Sequence, residues 1–183
     1  PLDDHVREQL RRLEASGAVL HRYRSSNRLR LAAPYLMARY RPWYVPAGGS
    51  NPVGVLAYVD VALEIADQVA AGTLPEPATV VVPVGSGGTV AGLALGLGLA
   101  GLRRTRVLGV VVNDLLRLDG PAIARLAGRA GDLLTRAGLA EVPAVGDLDL
   151  RRDWLGGGYG VPTPAGAAEV ARASAAGLPV EPV

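Results

Sequence analysis

The segment Thr79-Val80-Val81-Val82-Pro83-Val84-Gly85-Ser86-Gly87-Gly88-Thr89-Val90-Ala91-Gly92 constrains this chain more than any other. Its continuous apolar run reads as a strand buried on both faces of a parallel sheet. Small residues follow, and then a helix from about Thr89 to Ala100. Glycines let backbone N–H groups approach an anion closely, and a helix N-terminus adds partial positive charge. Thr89 brings a hydroxyl, so the loop reads as a phosphate cradle. From the loop alone, a tight turn whose glycines only permit close packing remains open, as does packing by Gly92 and Gly96 on the helix.

Two common phosphate loops do not fit. A Walker loop needs a lysine after its last glycine, and all 19 basic residues here are arginine. A dinucleotide fingerprint needs glycine at its first, third and sixth positions; Gly85 and Gly87 comply, but the sixth position is Val90. The next strand, Arg106 to Val112, is followed by Asn113 and not by an acidic residue.

Elsewhere helices and strands alternate. Asp3 or Asp4 can cap a helix reaching Ser16, with Gly17 as its left-handed cap. Ala18 to Tyr23 reads as a short strand, and Leu29 to Tyr40 as a helix that Pro34 either kinks or starts. Trp43-Tyr44-Val45-Pro46 reads as a strand end before the turn Gly48-Gly49-Ser50. Asn51 and Pro52 open a helix whose apolar positions include Val55, Val59 and Ala62 and which stops at Gly72. Pro121 to Leu139 reads as a helix, followed by a poorly patterned stretch to Gly160. Thr163 and Pro164 start a last helix, ending near Gly177. The pattern predicts an α/β architecture with a parallel sheet.

The length of 183 residues suits one domain or a substantial part of one. With no cysteine there is no disulfide, thiolate metal site or cysteine nucleophile, and no metal site is expected. Without lysine, no side chain here can form a Schiff base. Apolar runs are short and interrupted, so no membrane span is expected. Nine arginines against four carboxylates make residues 1–45 basic, whereas residues 46–183 are net acidic. Arg7, Arg11 and Arg12 fall on a helix with Val6, Leu10 and Leu13 on its apolar face, so this charge reads as solvated and no nucleic-acid partner is expected. His5 and His21 read as surface residues. The start carries no secretory signal, from which a cytoplasmic location is expected. Both ends read as cut, and the chain as a fragment.

Three segments, Tyr44-Val45-Pro46-Ala47-Gly48-Gly49-Ser50-Asn51-Pro52-Val53-Gly54, Gly85-Ser86-Gly87-Gly88-Thr89 and Gly158-Tyr159-Gly160-Val161-Pro162-Thr163-Pro164, together resemble the D-cysteine desulfhydrase and 1-aminocyclopropane-1-carboxylate deaminase family. The resemblance implies a pyridoxal 5'-phosphate enzyme with the three-layer, parallel-sheet fold of the tryptophan synthase β type. Residues 1–44 would be the remnant of a small domain, and 45–183 part of the large cofactor-binding domain. The resemblance places the cofactor phosphate on Gly85, Ser86, Gly87, Gly88 and Thr89, and the substrate beside Gly48, Gly49 and Ser50. Tyr159 would position or exchange a proton near the substrate.

Glycine at position 49, where the deaminases typically carry a larger residue, leans toward the desulfhydrase branch: D-cysteine to pyruvate, sulfide and ammonia. The deaminase, or a non-catalytic module binding a phosphorylated small molecule, is the alternative. The family's Schiff-base lysine and its Ser-Asn pair would lie upstream of these residues, and a second tyrosine beyond them. The implied partner is a small amino-acid substrate, and the full-length relative would be a homodimer.

Overall fold

The computed structural model describes residues 4–116, 118–145 and 148–180. The chain divides into two compact units, Pro1–Tyr44 and Val45–Val183. In the first, α1 spans Asp4–Ala15 and α2 spans Ser26–Tyr40. The expected caps Asp3 and Asp4, and the side chain of His5, lie outside what is described. Gly17 takes the left-handed φ of +79° that follows α1. Arg11 and Arg12 both pair with Glu8, as expected of a solvated helix face. His21 is exposed and its ring lies 5.5 Å from that of Tyr40.

Two expectations for this unit are corrected. Residues 18–23 form no strand, since no neighbouring strand among the described residues offers a ladder for their backbone groups. Pro34 neither starts nor interrupts α2, which begins eight residues earlier because Ser25 caps it, its hydroxyl accepting from Arg28 N at 3.4 Å. The Trp43–Val45 segment is likewise irregular.

In the second unit, α3 (Pro52–Ala70) leads to β1 (Thr79–Val84), α4 (Gly88–Leu99), β2 (Arg106–Val111), α5 (Gly120–Arg136), β3 (Asp149–Arg151) and α6 (Pro164–Ala175). The three strands are parallel in the order β1-β2-β3, with Val80 opposite Val107 and Leu108 opposite Asp149. Parallel neighbours need crossovers, and α4 supplies the one between β1 and β2. β3 lies in the poorly patterned stretch after α5, since three residues are too few to show alternation.

β1 is not buried on both faces as expected: Val81 is 60% exposed and Pro83 is open to solvent. It is an edge strand of the described sheet. The carbonyls of Ala78 and Val84 accept from β2 and the residue after it, so the odd-numbered residues between them direct their backbone groups the other way. Proline, which has no N–H, is tolerated on such an edge.

The core joins α3, the strands, α4 and α5. Val55, Val59 and Ala62 form one face of α3, at intervals of four and three residues. They meet α4, which is apolar all round and buries Val90, Ala91, Leu93, Leu95 and Leu97. Ile123, Ala127 and Ala130 close the cluster from α5. Among the described residues, no helix is long and apolar enough to cross a membrane.

Candidate cofactor-binding site

The C-terminal end of a parallel sheet is where α/β folds place ligands, because loops and helix N-termini converge there. Here β1 ends at Val84 and α4 begins at Gly88, leaving three residues to turn the chain. Gly87 makes that turn with φ +88°, a left-handed value that suits glycine.

The cap of α4 differs from those of its neighbours. Asn51, Asp119 and Thr163 cap α3, α5 and α6 with side-chain oxygens that accept from first-turn amides. Gly87 has no side chain to offer, and the first-turn amides of a helix have no acceptor within it. Gly88 N–H is met instead from 38 residues away, by Ser50 Oγ at 3.1 Å. Thr89 follows it, half-buried, with its hydroxyl in the same turn.

Ser50 arrives through the turn Ala47–Gly49, in which Gly48 has φ +67° and Gly49 φ +65°. Gly49 N–H bonds Pro46 O and Asn51 N–H bonds Gly49 O, both at 2.9 Å. Gly54, in the first turn of α3, lies so close that a β-carbon there would come within 2.2 Å of the Gly49 carbonyl. The Ser50 and Ser86 hydroxyls are 2.7 Å apart. A β-carbon on Gly48 would lie 2.2 Å from Ser86 Oγ, and one on Gly88 would lie 2.6 Å from Ser50 Oγ. The two glycine turns, distant in sequence, are therefore packed backbone to side chain. A β-carbon on Gly85 or Gly49 would meet nothing within 4 Å, so both positions border open space.

Tyr159 lies on a third turn, between Gly158 at φ +124° and Gly160 at φ +75°. Its side chain is about half exposed, and its N–H donates to Asp114 Oδ1 at 3.0 Å. Among the described residues, no hydrogen bond joins Tyr159 to Ser50 or to the Gly85–Thr89 loop. Asn113 and Asp114 lie between them and belong to none of the three sequence motifs. Asn113 is buried just beyond β2 and donates from Nδ2 to Gly85 O at 2.8 Å, while its Oδ1 accepts from Leu115 N at 2.7 Å. A polar residue directly after the apolar run 110–112 was the available signal, because that position falls at the ligand end of the sheet.

The donor set suits a phosphate monoester: helix N-terminal amides, the hydroxyls of Ser50, Ser86 and Thr89, and glycines where side chains would intrude. Pyridoxal 5'-phosphate fits this set through its phosphate. None of the 183 residues is a lysine able to hold its aldehyde.

Comparison with known proteins agrees. A D-cysteine desulfhydrase of Klebsiella pneumoniae is 38% identical over 131 residues, covering 72% of this chain and 37% of that protein. One from Salmonella paratyphi C is 37% identical over 145 residues, covering 79% and 42%. The chain thus spans about two fifths of the length of these curated relatives. A crystal structure described as an ACC deaminase homologue superposes with a TM-score of 0.72 at 26% identity, over 90% of this chain and 49% of that one. This likeness bears out the expected three-layer, parallel-sheet α/β fold. The family described as pyridoxal-phosphate dependent enzyme matches residues 2–183, and the chain belongs to that family.

Proposed function

We propose that this chain is the cofactor-phosphate-binding portion of a pyridoxal-phosphate-dependent lyase that converts D-cysteine to pyruvate, sulfide and ammonia. The observation that carries the reading is the contact of Ser50 with Ser86 and Gly88, which joins the proposed substrate turn to an anion-binding helix start. The curated relatives named D-cysteine desulfhydrase support the substrate.

In this reading Gly85, Ser86, Gly87, Gly88 and Thr89 hold the cofactor phosphate through backbone amides and two hydroxyls. Pyridoxal phosphate, when bound, supplies the electron sink for the pair left at the substrate α-carbon. Gly48, Gly49 and Ser50 form one wall of the substrate pocket, and the open side of Gly49 leaves room for a side chain there. The Tyr159 phenol exchanges a proton with bound substrate. The division of the chain after Tyr44 supports assigning residues 1–44 to a small domain and 45–183 to the cofactor domain. A homodimer of the full-length protein is part of the same proposal, resting on the resemblance alone.

The test compares the polypeptide as encoded with the 183 residues alone, following cofactor absorbance and sulfide release from D-cysteine. Residues 1–183 contain no lysine, so the expected result is no turnover above a free-cofactor control for that piece. Sulfide release by the encoded enzyme supports the reading. A second reading, deamination of 1-aminocyclopropane-1-carboxylate, is favoured by the ACC deaminase homologue. Ammonia release from that substrate, with no sulfide from D-cysteine, would select it.

A further inference from the structure

We propose that Asn113 and Asp114 form a bridge that holds the Tyr159 turn in register with the glycine loop, making both of them positioning residues for Tyr159. The inference rests on the proposed function, which puts the loop against a cofactor and Tyr159 against substrate.

The two residues are adjacent, and each is fastened to a different motif. Asn113 is 9% exposed and makes two bonds in opposite senses: its Nδ2 donates to Gly85 O at 2.8 Å, and its Oδ1 accepts from Leu115 N at 2.7 Å. The second bond fixes the amide plane, so the first fixes where the carbonyl of Gly85 points. Asp114 accepts the N–H of Tyr159 at 3.0 Å, across 45 residues of sequence. Gly158 lies against the same carboxylate, since a β-carbon there would come within 2.9 Å of Asp114 Oδ2. Only a glycine lets the turn approach this closely, and its φ of +124° is itself one that side chains disfavour. A second fastening binds the same two stretches: Arg152 Nη2 donates to the carbonyl of Leu118.

The loop after β2 is thus tied on one side to the end of β1 and on the other to the segment that carries Tyr159. Half-exposed, the Tyr159 side chain is not held by the core. Its placement relative to the loop depends on its backbone, and its backbone amide depends on Asp114. Catalytic placement is sensitive at this scale: a shift of about 1 Å can cost about a hundredfold in rate.

The experiment compares Asp114→Ala, Asp114→Asn, Tyr159→Phe and the Asp114→Ala/Tyr159→Phe double variant in the polypeptide as encoded, loaded with pyridoxal phosphate. Asp114→Ala is expected to lower kcat on D-cysteine by about tenfold to a hundredfold, with cofactor affinity unchanged within about twofold. Asp114→Asn keeps an acceptor oxygen and is expected to restore most of the rate. The double variant should be no slower than Tyr159→Phe alone, because Asp114 acts through that tyrosine.

Full additivity in the double variant, or an unaltered kcat in Asp114→Ala, overturns the bridge. Amide hydrogen exchange reads it without turnover: exchange at Tyr159 should quicken in Asp114→Ala and recover in Asp114→Asn. If the wild-type protein takes up no pyridoxal phosphate, the functional reading fails, and unchanged exchange at Tyr159 in Asp114→Ala would then overturn the bridge separately.

Discussion

The hydroxyls of Ser50 and Ser86 lie 2.7 Å apart although 36 residues separate them in the sequence. Ser50 also accepts from the first amide of α4, so one oxygen joins the turn before α3 to the turn before α4. The helices behind them are packed as well, with α4 against the Val55, Val59 and Ala62 face of α3. A displacement of either turn is therefore felt by the other, through a hydroxyl pair at the front and a helix pair behind. In the proposed function, this arrangement links the cofactor phosphate to the wall of the substrate pocket.

Replacing Ser50 by alanine removes the acceptor of Gly88 N–H and the partner of the Ser86 hydroxyl in one step. The site is partly buried, so a loss of about 1 kcal/mol is expected. Urea unfolding should show a lower midpoint at constant m-value. Pyridoxal phosphate affinity should fall too, since the loop loses its brace. A variant that keeps both wild-type midpoint and affinity would show that the hydroxyl pair contributes nothing.

Gly48 and Gly49 share nearly the same positive φ but not the same surroundings. Alanine at Gly49 meets open space and bears only the left-handed backbone penalty, about 1–2 kcal/mol. Alanine at Gly48 bears that penalty and also collides with Ser86 Oγ and Cβ, at 2.2 and 2.8 Å. Overpacking adds about 1–3 kcal/mol. Gly48→Ala should thus destabilise more than Gly49→Ala and should disturb cofactor binding more. Equal unfolding midpoints for the two variants would contradict the packing described here.

Much of this was legible in the residues. Asn51-Pro52 and Thr163-Pro164 marked helix starts correctly because cap and first-turn chemistry act within a few residues. The run from Thr79 through Gly88 marked strand, loop and helix because a continuous apolar run gives way to small residues within a few positions. The segment Ala18–Tyr23 looked like a strand because a short apolar run carries no record of whether a neighbour exists to pair with it. Pro34 looked disruptive because the cap that starts α2 at Ser25 lies nine residues before it. The meeting of Ser50 with Ser86, and that of Asp114 with the Tyr159 turn, had no local signature at all; for Asn113 the signal was only a polar residue after an apolar run. They arise from which ends of which strands the crossovers bring together.

Glu8 gives a pH-dependent prediction away from the site. Its carboxyl is held below the ordinary carboxylate pKa by hydrogen bonds from Arg12 first and Arg11 second. A depressed folded-state value means that its contribution is present above the unfolded pKa and is lost as pH falls through the folded one. Helicity of residues 4–15 should therefore weaken on acidification through that range, and Glu8→Gln should remove this step from the titration. The carboxylate is partly open to solvent, so added salt should shrink the step as well. A carboxyl NMR titration of Glu8 that matched an unfolded peptide would contradict the prediction.

Three glycines inside helices separate packing from propensity. Gly92 and Gly96 are four residues apart on α4 and face α3. A β-carbon at Gly92 would lie 2.5 Å from both Val55 O and Tyr58 Cβ; one at Gly96 would lie 2.6 Å from Ala62 Cβ and 2.8 Å from Val59 O. Two of these contacts are backbone carbonyls, which cannot rotate aside as a side chain can. Alanine at either position should therefore cost about 1–3 kcal/mol, despite its better helix propensity. Gly128 on α5 is exposed, and a β-carbon there would meet nothing within 4 Å. Gly128→Ala should then stabilise by about 0.5–1 kcal/mol through reduced backbone entropy in the unfolded chain. Opposite signs are thus expected for the same chemical change on neighbouring helices. If all three variants raised the urea midpoint, helix propensity and not the close approach of α3 and α4 would set the stability of this core.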